Sequence, residues 1–138
     1  MKIVIYDTLT EYAKEVRQKV FVEEQGFHEE FDETDDRAWH IMMFDGDKPI
    51  ANCRVFESGQ KGTFILGRLA VLKEYRGKDY GSELVKEAET LVTQKGGSRI
   101  TLHAQCRVQK FYNTLGFQEY GTADEEEGCP HIWMEKYL

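Results

Sequence analysis

The sequence has no excess of basic charge: 18 lysines and arginines stand against 25 aspartates and glutamates, for a net charge of -7. A surface of that sign repels phosphate backbones and anionic headgroups over most of its area. This argues against nucleic acid or a membrane as the main partner and favours an amine or another cation. Cysteine is scarce: Cys53, Cys106 and Cys129 are odd in number, widely separated and form no Cys-x-x-Cys pair. Neither a disulfide framework nor a zinc site is expected, and a reducing, cytoplasmic setting fits. No apolar run approaches the roughly 18 residues of a membrane span, and MKIVIYDTLTEYAKEV turns polar too early for a leader. Also missing are internal repeats, low-complexity blocks, linkers, a Gly-Lys-Ser/Thr after a glycine loop, and a Gly-x-Gly-x-x-Gly fingerprint. The last two absences exclude P-loop and dinucleotide modes of binding. What is present is 138 residues with 41% hydrophobic and 12% aromatic content, enough for one compact core and too little for two. A single domain over residues 1–138 is expected.

KIVIY reads as a short strand, and TEYAKEVRQKVFVEE as a helix with Tyr12, Ala13, Val16, Val20 and Phe21 on its apolar side and Thr10 as its N-cap. The acid-rich EEQGFHEEFDETDDR that follows has no sustained period. It reads as a loop with one helical turn, either a solvated surface run or, in part, the rim of a cleft that attracts a cation. Three β-rich runs come next, AWHIMMF, PIANCRVFE and TFILGRLAV, separated by the turn-forming DGDK and SGQKG. A long amphipathic helix, YGSELVKEAETLVTQK, ends at Gly96 and Gly97 and leads to a fifth strand, RITLHA. A short helix, RVQKFYNTL, and two closing strands complete the chain. This order predicts an α/β (α+β) fold with a mixed, mostly antiparallel sheet, in which only the strand-helix-strand crossover from Arg68 to Ala104 is parallel.

YRGKDYGSELV, between the fourth strand and the long helix, gathers unpaired amides at the positive end of a helix dipole, with Arg76 and Lys78 nearby and Gly77 and Gly81 allowing close approach to the backbone. It reads either as a pyrophosphate seat or as an ordinary strand-to-helix turn. Asp79 is the odd member. As an N-cap residue its carboxylate is expected to accept the amide of Gly81, Ser82 or Glu83, where it would compete with an incoming phosphate.

LGRLAVLKEYRGKDYGSELV resembles the acyl-coenzyme A motif of the GNAT superfamily of N-acyltransferases, whose pattern is Arg/Gln-x-x-Gly-x-Gly/Ala. The matching window here is Arg76, Gly77, Lys78, Asp79, Tyr80 and Gly81, with Asp79 in place of the middle glycine. FYNTLGF is similar to the family's second signature, and VRQKVFVEEQ, LHAQ and EEGCPHIWM resemble its ElaA-like branch. The resemblance implies acetyl-CoA as co-substrate, with its pyrophosphate on the amides of Arg76 to Ser82 and its pantetheine arm along Leu69, Ala70 and Val71. The thioester would lie where the fourth and fifth strands splay apart. Tyr112 would be the general acid for the departing thiolate, a role suited to a phenol that stays protonated at neutral pH.

The acceptor implied is a small-molecule or peptide amine, attacking directly in a ternary complex; the alternative is a non-catalytic acyl-CoA-binding module. Homodimerisation through a sheet edge is also compatible with the family. The fourth strand offers no carboxylate as base, so His103 on the fifth strand is the candidate, with His40 or Glu57, acting through water, as the alternatives. Arg54 and Arg68 would either bind a substrate carboxylate or pair with Glu57 and other acids. The branch resemblance places Arg17, Glu24, Gln25 and His131 near the acceptor pocket. Cys129, His131 and Glu127 are possible metal donors but lack a full ligand set, so no metal is expected. Cys106, just after the fifth strand, is the one thiol placed for a covalent acyl relay.

Overall fold

Period-two runs and one long period-3.6 run fold into a seven-stranded sheet with helices on both faces. The computed structural model describes residues 1–28 and 30–138. Its elements are β1 (Lys2–Tyr6), α1 (Glu11–Arg17), β2 (Trp39–Asp45), β3 (Lys48–Glu57), β4 (Thr63–Val71), α2 (Tyr80–Gln94), β5 (Arg99–Gln105), α3 (Gln109–Thr114), β6 (Gln118–Glu126) and β7 (Cys129–Tyr137). The sheet order is β1-β2-β3-β4-β5-β7-β6, and among the described residues only β4 and β5 run parallel. The expected fold class and element order are both observed.

Strand β2 shows why helices cover both faces. Ile41 and Met43 point into a core shared with Leu84, Val85 and Ala88 of α2, while Met42 and Phe44 point into a second core with Ala13 and Val16 of α1. Burying each such side chain contributes about 1.5–3 kcal/mol. Thr10 caps α1 as expected, accepting the amide of Ala13 at 3.2 Å. The end of α2 is a Schellman turn: Gly96 takes φ 84°, its amide reaches Thr93 and that of Gly97 reaches Val92.

Two departures shape the site. The first helix does not stay α-helical through Glu24: residues Gln18–Glu24 widen into a π-helix, closed by the Gln25 amide on Val20. Such widenings reset which side chains share a face, and here Phe21 and Gln25 both reach one cavity. The second is a bulge in β4. Asn52 pairs with Ala70 but Arg54 with Gly67, so Arg68 and Leu69 oppose the single residue Cys53. Arg68 takes φ 55°, an unusual value for a residue with a side chain. The buried Asn52 amide donates to the freed Arg68 carbonyl at 3.1 Å, replacing the missing ladder bond.

The acid-rich stretch contains the expected turn, a 3-10 segment at Glu33–Asp36. The solvated reading fails at Glu30 and Asp35, which are only 4% and 2% exposed. They are the anionic half of a buried network with Arg17, Arg54 and Arg68. The rim reading holds for Glu30 and Asp32, which do line the cavity, though as arginine partners.

Candidate active site

The parallel ladder between β4 and β5 has only three pairs, from Thr63–Arg99 to Ile65–Thr101. Beyond them the strands diverge. The gap opens into a cavity of about 340 Å³, within the size range of small-molecule sites. One wall is Leu66 to Leu69 of β4; the other is Leu102 to Gln105 of β5 with His131 and Trp133 of β7. Phe21 of the π-helix, Gln25 just after it, Phe27, and Val108 with Tyr112 complete it, and Glu126 and Glu127 stand in the lining beside His131.

Tyr112 is 8% exposed and packs edge-on against Phe111 and Phe117. Burial pushes its phenol well above the ordinary range, with Cys53 adding to the effect, so it is a proton donor that stays loaded. His103 lines the same cavity from β5, on the sheet face opposite to Leu102 and Ala104, which pack with Tyr112. Its Nε2 lies 2.7 Å from Oδ1 of Asp124 on β6 and its Nδ1 3.3 Å from Glu126, and its ring stacks between His131 and Trp133. A carboxylate only accepts, so Nε2 is the donor to Asp124, and Nδ1 stands within ion-pair distance of Glu126. Asp124 and Glu126 were not singled out from the sequence. The available cue was two acids at i and i+2 in a strand whose register puts Asp124 opposite His131, which requires knowing the hairpin. That hairpin turns on Glu127 and Gly128, both at positive φ, as a type I′ turn demands. The Glu127 carboxylate also accepts the His28 amide at 2.9 Å, tying β6–β7 to the segment opposite.

The remaining candidates separate into two groups. Gln25, Arg54, Arg68 and His131 line the cavity; Arg17, Glu24, His40 and Glu57 do not. Arg17 is fully buried and grips Glu30 and Asp35. His40 is also fully buried, with Nε2 on the Asp35 carbonyl at 3.0 Å, and burial holds its pKa down. Glu24 is at the glycine loop, clamped by Arg76 at 2.6 and 2.7 Å, and that bond holds its carboxyl below the usual range. Gln25 accepts from Gln105 at 2.7 Å across the cavity. Arg54 and Arg68 pair with Asp32, Asp35 and Glu30, and Glu57 takes no part. Burial would raise the Asp35 carboxyl, but the Arg17 bond and charge, joined by Arg54, outweigh it and lower the pKa to about 2. For Glu30 burial wins over Arg68 and Arg17, and the pKa is raised. Cys106 opens a 3-10 turn after β5 and is not in the cavity lining, while Cys53 is buried with its thiol pushed up by that burial.

The glycine loop lies at the end of β4, where the Arg76 Nε donates to the Val71 carbonyl at 2.9 Å. Among the described residues, the amides of Gly77 to Ser82 have no hydrogen-bond partner; the first helical bond of α2 is from Glu83 to the Asp79 carbonyl. Asp79 does not cap through its side chain. Its role is conformational: it adopts φ 65°, ψ 15°, the left-handed region that glycine enters freely and aspartate tolerates. The carboxylate therefore does not occupy the amides. Gly77 is left-handed too, with open space where a Cβ would be, as the reading of close backbone approach requires. Gly81 has a different reason: a Cβ there would meet Phe111 at 3.3 Å, so its smallness serves packing of α2 on α3. Of the three β4 residues expected along the cofactor arm, Leu69 lines the cavity, and Ala70 and Val71 continue the strand beyond its parallel pairing.

The model of the acetyltransferase (GNAT) domain matches residues 5–138. A Bacillus subtilis protein provisionally named an acetyltransferase is 39% identical over 132 residues, covering 90% of this chain and 86% of that one. A crystal structure of a provisionally named N-acetyltransferase from Lactobacillus plantarum is 31% identical with a TM-score of 0.90, covering 99% of this chain and 97% of the other. Escherichia coli ElaA is 27% identical with a TM-score of 0.85, covering 98% and 99%. The chain belongs to the GNAT acetyltransferase family, with ElaA among its structural neighbours.

Proposed function

We propose that this protein transfers an acetyl group from acetyl-CoA to a primary amine by direct attack in a ternary complex. The observation that carries the reading is the opening of β4 from β5 after Ile65–Thr101, with Tyr112 and His103 both lining the gap. Coenzyme A pyrophosphate takes the free amides of Gly77 to Ser82, and the pantetheine arm pairs with the β5-facing side of Leu69 to Val71, which lies beyond the last β4–β5 pair. The acceptor nitrogen attacks the thioester carbonyl carbon; its N–C bond forms, the C–S bond breaks, and the products are an amide and free thiol. The arriving ammonium first loses one proton to solvent, and His103 accepts the second at Nδ1 as the amide forms, held in that tautomer by Asp124, a positioning residue. Tyr112 donates to the leaving sulfur, and solvent exchange returns both groups to their starting states. Glu126 and Glu127, with the aromatic faces of Phe27 and Trp133, suit an acceptor that arrives as an ammonium ion. Arg54 and Arg68 are occupied by acids and serve the cavity wall rather than a substrate carboxylate.

The test is a calorimetric titration with acetyl-CoA, followed by thiol release across polyamines, aminoglycosides, amino acids and peptides. Micromolar binding with amine-dependent thiol release supports the reading. Binding without turnover for any amine would favour a non-catalytic acyl-CoA module, and absence of binding up to millimolar ligand would overturn both.

A further inference from the structure

His103, Glu126 and His131 form a convergence that acyl transfer does not use in full: their donor atoms lie within 4.8 Å of one another. Outer partners set the tautomers. Asp124 accepts from Nε2 of His103 at 2.7 Å, and Nδ1 of the same ring lies 3.3 Å from Glu126 Oε2. The Cys129 carbonyl accepts from Nδ1 of His131 at 2.8 Å, which leaves Nε2 bare and 3.8 Å from the same oxygen. The three donor atoms thus gather at one place in the cavity lining.

We infer that His103, His131 and Glu126 form a binding site for a divalent transition-metal ion of the zinc class in the acceptor end of the cavity. Two imidazole nitrogens and one carboxylate select zinc, nickel, cobalt or copper over magnesium and calcium, which prefer all-oxygen shells. Donors at about 2.0–2.2 Å from a tetrahedral ion are about 3.3 Å apart. The His103–Glu126 separation already has that value; the His131–Glu126 separation closes by about half an ångström, and the two imidazoles, stacked at 29° with all donors within 4.8 Å, rotate so that both nitrogens face one ion. Asp124 and the Cys129 carbonyl act as the outer partners that orient ligand histidines. Three protein donors leave a coordination position open, and all three residues line the cavity. Metal and acceptor amine compete for the same Nδ1 lone pair, so this site shares His103 with the proposed reaction but does not depend on that reaction occurring.

Zinc chloride is titrated into the chelator-treated full chain without acetyl-CoA, and cobalt absorption reports the ligand geometry. One equivalent binding in the micromolar range or tighter is expected, with at least about a tenfold loss of affinity in Glu126→Gln and in His131→Ala. His28→Ala and Cys129→Ser, which remove an exposed imidazole and the nearest thiol, should bind as the parent does. Because Glu126 is exposed, its variant tests the site without endangering the fold. No saturable binding at micromolar zinc, or binding that follows His28 or Cys129 instead, overturns the inference. Failure of acetyl-CoA binding in the separate titration would bear on the transferase reading alone.

Discussion

Replacing Asp35 by asparagine keeps the shape of the buried network and removes one charge. Asp35 Oδ1 accepts from Arg17 at 2.7 Å and from Arg54 at 2.9 Å, and Oδ2 accepts from Arg17 at 3.1 Å and from the Asp32 amide at 3.2 Å. An asparagine keeps one acceptor and turns its NH₂ toward guanidinium groups that also donate. Breaking a buried pair in this way costs about 3–5 kcal/mol, a large share of a stability that is typically about 5–15 kcal/mol. The carboxyl pKa gives a second, independent magnitude. A fall from 3.8 to about 2 corresponds to about 2 kcal/mol of preference for the ionised form. Because the folded value is depressed, this stabilisation is complete above pH 3.8 and is lost as pH falls through about 2. Glu30, whose pKa is raised, runs the other way: its contribution is present below its ordinary value and fades as pH rises. Comparing variant with parent largely cancels it. Urea unfolding at a series of pH values should therefore show Asp35→Asn about 3–5 kcal/mol less stable near neutrality, with the gap narrowing toward pH 2 as the parent's own carboxylate protonates. A gap under about 1 kcal/mol at neutral pH, or one that does not change with pH, would show that the network is not held by this charge.

Tyr112→Phe should lower kcat by about a hundredfold or more while leaving acetyl-CoA affinity nearly unchanged, since only the departing thiolate meets the phenol. Equal loss of both, or of neither, would remove Tyr112 from the acid's role. In Asp124→Asn the amide can donate to Nε2 of His103 and invert the tautomer, so kcat should fall by about a hundredfold or more with KM little changed; a rise in KM alone would assign Asp124 to acceptor binding. Asp79→Gly keeps the left-handed turn and removes a charge beside the phosphate seat. Calorimetry should find coenzyme A bound a few-fold tighter, since a carboxylate ~6 Å from phosphate in a water-like dielectric repels it by about 0.7 kcal/mol. Weaker binding would mean that the carboxylate assists the ligand.

Strand and helix order was readable because β2, β3 and α2 carry strong periods and Gly96–Gly97 marks a helix end by its chemistry. The glycine loop and Tyr112 were readable through local motifs. The partners of Arg17, Arg54 and Arg68 were not, because Glu30, Asp32 and Asp35 reach them across 13 to 38 residues of chain and look in isolation like any acid-rich surface loop. Local reading also misplaced Glu24: the π-helix ends there and turns it toward Arg76, while Gln25, one residue later, reaches the cavity. Nothing in a window around His103 names Asp124 or Glu126, since β6 meets β5 only through β7 and its register with β7 is shifted between Tyr120 and Asp124.

A seven-stranded sheet ordinarily has two margins at which main-chain groups lack a neighbour. This one, parted between β4 and β5, has an inner pair as well. Free margins are where β proteins adhere to one another, and they are commonly blunted by charge, proline or a covering loop. Here the inner margins confront each other across a notch flanked by the rest of the sheet, so a foreign strand cannot lie alongside either without displacing the other. A lone extended molecule can. The fold thus leaves an inner stretch of β4 backbone without a strand neighbour at little risk that this margin joins the sheet of another molecule.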